Sequence, residues 1–193
     1  MALLASNSSP PHSRASSSRK RWIAGAGLVA ALVLWRGVDD FARAHLFLIN
    51  RSPSLPNWAY FVERGALPAR GQVAFFLPPR NALVEAHFGK RPSPFGKIAL
   101  GMPGDVIEHR GDDVVLIRAP SGNDPRQGTR SVIGHMKPLS AAGEVLAPGP
   151  VGRIPEGCYY MGSAHKDGFD SRYAAIGFVC RRQIVGVARG VLL

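Results

Sequence analysis

A chain of 193 residues that is 46% apolar has material for one domain of ordinary size plus an appendage, and gives no reason to look for two cores. Lysine and arginine exceed aspartate and glutamate by eleven, which would ordinarily point to nucleic acid or an anionic membrane. Five of those charges, on Arg14, Arg19, Lys20, Arg21 and Arg36, precede the first acid at Asp39. Nearly half of the excess therefore sits in the first fifth of the chain, which suits a membrane, and no nucleic-acid partner is expected.

The first residues, "MALLASNSSPPHSRASSSRKRW", are rich in Ser and Pro without periodicity, so residues 1–21 read as a disordered basic tail on the cytoplasmic side. Ile23 to Trp35, "IAGAGLVAALVLW", is uncharged and apolar throughout, yet shorter than the about 20 residues a spanning helix needs. Trp22 and Trp35 suit the two interfaces, and Arg36 can snorkel while the helix continues through Gly37 and Val38. Residues 22–45 are thus expected to form a transmembrane anchor and linker. A cleaved signal is the competing reading, with Ala42-Arg43-Ala44 as a small-x-small site. In both readings Arg19-Lys20-Arg21 stays cytoplasmic and everything past Asp39 and Asp40 is exported. Gly25-x-Gly27-x-x-Ala30 is a nominal dinucleotide fingerprint, but no strand precedes it and the reading is discarded.

From residue 46 to residue 193 short apolar runs alternate with Gly, Pro and charged turns. "WAYFVE", "GQVAFFL", "DVIEH", "DVVLIRA", "GEVLAP", "CYYMGS" and "VGVARGVLL" are strand-length and rich in Val, Ile and aromatics. "EHRGDDVV" has the form of a hairpin with Gly111 in its turn. One helix is expected, over "NALVEAHFG", Asn81 to Gly89, with the glycine as C-cap. Residues 119–140 read as loop. The exported domain is therefore mostly β, and Cys158 and Cys180 are either one disulfide or two buried thiols.

The six histidines show no metal-ligand spacing and no Gly-x-Ser-x-Gly elbow occurs, so neither a metal site nor a Ser-His-Asp triad is expected, and no cofactor is implied. A serine can instead be activated by a lysine that burial keeps uncharged. Of the five lysines, Lys97 stands in "FGKIALGMPGD" among Phe95, Ile98, Leu100 and Met102, which is unusual company for a solvated cation. Ser54 lies between Pro53 and Pro56, whose restricted backbones can present one side chain rigidly; the plainer reading is a proline-rich linker.

Three features combine. Asn50-x-Ser52-x-Ser54-x-Pro56-x-x-x-Tyr60, then Lys97-x-x-x-Gly101-x-Pro103-Gly104-Asp105, then "FDSRY" at Phe169 to Tyr173 together resemble the signal peptidase I family of Ser/Lys proteases. More closely, they resemble its TraF branch, the signal peptidases of conjugative transfer systems. The resemblance implies a coiled β-sheet catalytic domain of the signal-peptidase and LexA-like type, anchored in the inner membrane with its active site on the periplasmic side. It implies Ser54 as nucleophile and Lys97 as general base, with the oxyanion held by the Ser54 backbone N–H and the Ser52 hydroxyl. Asp170, Ser171 and Arg172 would brace the wall around Lys97, and Gly101 to Asp105 would form the turn that fixes its strand.

The implied substrate is a signal-bearing precursor, most of all a conjugative pilin subunit. Two positions depart from the pattern. A serine often sits two residues before the Asp of Asp-Ser-Arg, where this chain has Gly168, so Lys97 needs another partner, such as Ser171 or a backbone carbonyl. Trp58 stands where the pattern has Gly. Leu55, Trp58, Phe61, Phe75 and Phe76 would line the cleft against the bilayer, or else form core. The rival readings are a general leader peptidase, a LexA-like self-cleaving switch with "AAGE" at Ala141 to Glu144, and a non-catalytic exported β-domain of a secretion apparatus.

Overall fold

The computed structural model describes residues 15–50, 52, 54–120 and 128–192. Two compact units divide at Arg43 and Ala44. The first is a single helix, α1 (Ala15–Ala44). Its segment Arg21–Ala44 has a mean hydropathy of 1.4 with none of its most apolar window buried, and is long and apolar enough to cross a membrane. At 1.5 Å per residue that segment reaches about 36 Å, beyond the ~30 Å hydrocarbon layer. Arg36 does not end the helix, and Arg43 pairs with Asp39 one turn earlier at 2.7 Å. The helix differs from expectation at both ends. It begins at Ala15, inside the stretch read as tail, because extending a helix already nucleated by an apolar run costs little. It also runs to Ala44 without a linker. Residues 1–14 of that tail lie outside the described residues.

Among the described residues the second unit holds, besides a 3-10 turn at Arg181–Gln183, eleven strands and one further α-helix. They are β1 (His45–Ile49), β2 (Ala59–Arg64), β3 (Val73–Phe76), α2 (Ala82–Phe88), β4 (Phe95–Gly101), β5 (Val106–Arg110), β6 (Asp113–Ile117), β7 (Arg130–His135), β8 (Gly152–Arg153), β9 (Cys158–Gly162), β10 (Val179–Cys180) and β11 (Ile184–Leu192). A seven-stranded sheet runs β1-β2-β11-β3-β4-β9-β10 and a four-stranded one β7-β6-β5-β8. Every pairing is antiparallel. The mostly β reading holds.

Gly111 joins β5 to β6 with φ 61°, a left-handed conformation that a glycine takes without strain. Asn81 caps α2, its side chain accepting the Val84 N–H, and Gly89 closes the other end by donating to Glu85 O. "GEVLAP" forms only two isolated bridges, Val145 with Leu139 and Pro148 with Tyr173, and is not a strand. Residues 130–135, read as loop, form β7 against β6; the strand is mostly exposed and its two apolar residues, Val132 and Ile133, are adjacent, so it shows no apolar alternation. Residues 121–127 of that loop lie outside the described residues. β1 escaped notice because its apolar residues continue directly from the anchor.

The large sheet is packed on both faces. Ala74, Phe76, Ala99, Met161 and Val187 form a core on one face, and Leu55, Tyr60, Val62 and Phe75 with Ile98 form another. Since successive side chains of a strand alternate between faces, β4 puts Phe95, Lys97 and Ala99 on the first face and Gly96 and Ile98 on the second. Leu55, Phe75 and Phe76 are therefore core, at 4%, 3% and 0% exposure, and not bilayer-facing; Trp58, at 52%, is exposed.

Candidate active site

Lys97 is buried to 4% exposure in the middle of β4, between β3 and β9. Its register partner on β3 is Ala74. On the other side Ile98 pairs with Gly162, so the position facing Lys97 is Ser163, the first residue past β9. The amine donates to Ser54 Oγ at 2.8 Å. Burial strips its hydration and pulls its pKa from 10.5 to about 8; the Asp170 carboxylate pushes the value up and the Arg172 guanidinium down. At neutral pH a sizeable minority of the molecules therefore hold this amine uncharged.

The loop carrying Ser54 is organised by Asn50. Its Nδ2 donates to the carbonyls of Leu55 at 3.1 Å and Asn57 at 3.0 Å, and its Oδ1 accepts the Ser52 N–H and hydroxyl, each at 3.2 Å. Its own N–H closes the loop on Trp58 O at 2.6 Å. One residue thus satisfies five groups around a tight turn, four of them through its side-chain amide, with Leu55 driven into the core as a plug. Pro53, one of the two prolines expected to hold the loop, lies outside the described residues.

The Asp-Ser-Arg segment is buried, not a surface turn: Asp170, Ser171 and Arg172 are 0%, 0% and 3% exposed. Arg172 grips Asp170 through Nε to Oδ1 at 2.9 Å and Nη2 to Oδ2 at 2.8 Å, a two-pronged pair. It also donates to the carbonyls of His135, Ser163 and His165. Ser171 Oγ accepts from Met161 N–H at 2.9 Å, while its own N–H donates to Met161 O. The Ser171 hydroxyl thus fastens the segment to β9, and Ser54 is the partner of Lys97.

The far end of β4 is pinned by Asp105. Its carboxylate accepts the N–H groups of Met102 and Ala119, at 2.8 and 2.9 Å, and pairs with Arg70 at 2.7 Å. Arg70 also donates to Leu100 O. A cavity of about 320 Å³ lies elsewhere, between α2 and residues 137–146; neither Ser54 nor Lys97 lines it. Among the described residues no group of His, Cys, Asp and Glu is arranged to hold a metal ion.

Residues 19–193 match the family model described as "Signal peptidase, peptidase S26". The chain belongs to the signal peptidase family. This peptidase is 28% identical over 174 residues to "Conjugal transfer protein TraF" of Agrobacterium fabrum, across 84% of its own length and 91% of that protein. A crystal structure of a signal peptidase I from Enterococcus faecalis matches with a TM-score of 0.32 and 21% identity, covering 66% of this chain and 97% of that one. The protein is a peptidase acting on precursor polypeptides, with an amino-terminal apolar helix that suits membrane association.

In the peptidase, Ser54 and Lys97 come together from positions far apart in the chain, and Asp170 and Arg172 act on the same amine. Ser52 is exposed, with its hydroxyl on Asn50. Three groups went unassigned in the sequence: Asn50 as loop organiser, Arg70 as partner of Asp105, and Ser163 beside Asp170. Asn50 carried a signal, since it stands at the head of the serine motif. Arg70 and Ser163 carried none, because their roles depend on long-range pairing.

Proposed function

We propose that this signal peptidase is a serine endopeptidase working through a Ser54/Lys97 dyad. The observation that carries the reading is a lysine at 4% exposure whose amine lies 2.8 Å from one serine hydroxyl. In the uncharged form the same contact reverses, and Ser54 O–H donates to Lys97 Nζ. As the hydroxyl attacks the scissile carbonyl, Lys97 takes its proton and then passes it to the leaving amine. Water, activated by the same amine, resolves the acyl-enzyme. The developing oxyanion is taken up by the Ser54 N–H and by the Ser52 hydroxyl, which rotates away from Asn50 when substrate arrives; one such donor is worth about 2.7–4 kcal/mol. Asp170, Ser171 and Arg172 hold the wall behind the amine and do not react.

The helix α1 remains attached as a single-pass anchor in the inner membrane and presents residues 46–193 on the periplasmic side, with residues 1–21 in the cytoplasm. The substrate is a signal-bearing precursor cut after small residues, and the likeness to a conjugal transfer protein supports a conjugative pilin subunit. Co-expression of a pilin precursor with the wild type and with Ser54→Ala tests the reading. Conversion to the mature form by the wild type alone is expected, and equal conversion by Ser54→Ala would refute it.

A further inference from the structure

Gly168 has no room for a side chain. A Cβ placed there overlaps Ser163 Oγ and lies 2.6 Å from Arg172 Nη2 and 2.8 Å from Asp170 Oδ2. Its space is filled by a knot of polar groups at the end of β9. Ser163, at 3% exposure, sits in that knot directly across the strand register from Lys97. Both its hydroxyl and its N–H donate to Asp170 Oδ2, at 3.2 and 3.1 Å, and its carbonyl accepts from Arg172 Nη2 at 3.1 Å. No other serine or threonine hydroxyl bonds that carboxylate among the described residues.

We propose that Ser163 is a positioning residue for Lys97: its hydroxyl, admitted by the missing side chain at Gly168, holds the Asp170 carboxylate in register with Arg172 behind the amine. The inference rests on the dyad reading. Asp170 and Arg172 are the charged groups that act on Lys97, and they act with opposite sign. Ser163 fixes that balance from the strand end nearest the amine. A carboxylate deprived of this hydroxyl keeps its charge with one fewer donor to spread it, so Lys97 is held more firmly in its charged form. Less of the amine is then available as a base at a given pH.

The test uses the full chain in detergent micelles and a fluorogenic peptide carrying an Ala-x-Ala site, with kcat and KM measured from pH 6 to pH 10. Ser163→Ala is expected to move the rising limb of kcat to higher pH, lowering kcat near neutrality up to about tenfold per unit of displacement, with KM unchanged. The folded fraction is read by circular dichroism at every pH and kcat is referred to folded enzyme, so a less stable variant still answers. Gly168→Ser alone overfills the knot and loses activity. A Ser163→Ala limb superimposed on the wild type overturns the proposal. Ser54→Ala in the same assay separates the two claims: cleavage by that variant defeats the dyad itself, whereas its inactivity together with an unmoved Ser163→Ala limb defeats only the role of Ser163.

Discussion

Cys158 and Cys180 face each other across β9 and β10 and are joined by a disulfide that closes a loop of 22 positions. Within that loop lie Ser163, Asp170, Ser171 and Arg172, the groups behind Lys97. The bond therefore ties off the one segment whose buried charges act on the amine, as an oxidising compartment permits. Cys158→Ser/Cys180→Ser is expected to lower stability by about 2–5 kcal/mol. Thermal denaturation with and without reductant reads this directly: reductant lowers the wild-type midpoint and leaves the double variant unmoved.

The lowered pKa of Lys97 has a definite sign for activity. In the proposed dyad the base is the uncharged amine, so kcat/KM should climb with pH and level off above a midpoint near 8. A flat profile from pH 6 to pH 9 would mean that Lys97 is not the titrating base.

The same shift bears on stability in the opposite sense to an ordinary ion pair. The folded value of about 8 lies below the unfolded 10.5. Between them the unfolded chain binds the extra proton, so stability rises with pH through that window. Below pH 8 the full cost of burying the charge is present, about 3 kcal/mol at 1.36 kcal/mol per unit. Lys97→Met keeps the length and removes the charge. It should be inactive yet at least as stable as the wild type at pH 7, with no rise in stability between pH 8 and pH 10.5 by denaturant titration.

Asn50 offers a test of the serine loop independent of the dyad's own atoms. Asn50→Ala removes four side-chain hydrogen bonds and leaves β1 paired to β2. The nucleophile then loses its fixed direction, and a misplacement of about 1 Å costs on the order of 100-fold. kcat should fall by that order, with the Lys97 limb unmoved and the midpoint of unfolding lowered only modestly.

Breaking the buried pair on one side is more severe. Asp170→Ala leaves Arg172 charged and unmatched at 3% exposure, which costs about 3–5 kcal/mol. A drop of that size in chemical denaturation is expected, and Asp170→Ala/Arg172→Met should recover much of it without recovering activity.

How much of this was legible in the sequence depends on the range of the signal. β5, β6, β9 and β11 announce themselves through local apolar runs, and α2 through the Asn81 to Gly89 segment with its terminal glycine. The apolar neighbours of Lys97 are a local anomaly, but Ser54 and Lys97 were singled out together only by the resemblance of the three combined motifs to the signal peptidases. β7 was missed because it is mostly exposed and its strand pairing comes from β6, with no apolar alternation of its own. The depth of Asp170 and Arg172, and the way Ser163 fills the space at Gly168, were unreadable because they arise where the loop after β9 folds back, bringing Ser163 onto Asp170 and Arg172. Leu55, Phe75 and Phe76 illustrate the converse, since apolar character alone does not distinguish a core wall from a membrane face.

The central claim is that Lys97 takes the proton of Ser54 when a precursor is cut. The most direct measurement is kcat for an Ala-x-Ala peptide with wild type, Ser54→Ala and Lys97→Ala at pH 8, folded state being checked by circular dichroism. Loss of about 10⁴-fold or more in each single variant, with no further loss when both are combined, is predicted for two groups acting as a unit. Either folded variant cleaving within about tenfold of the wild type would contradict the account.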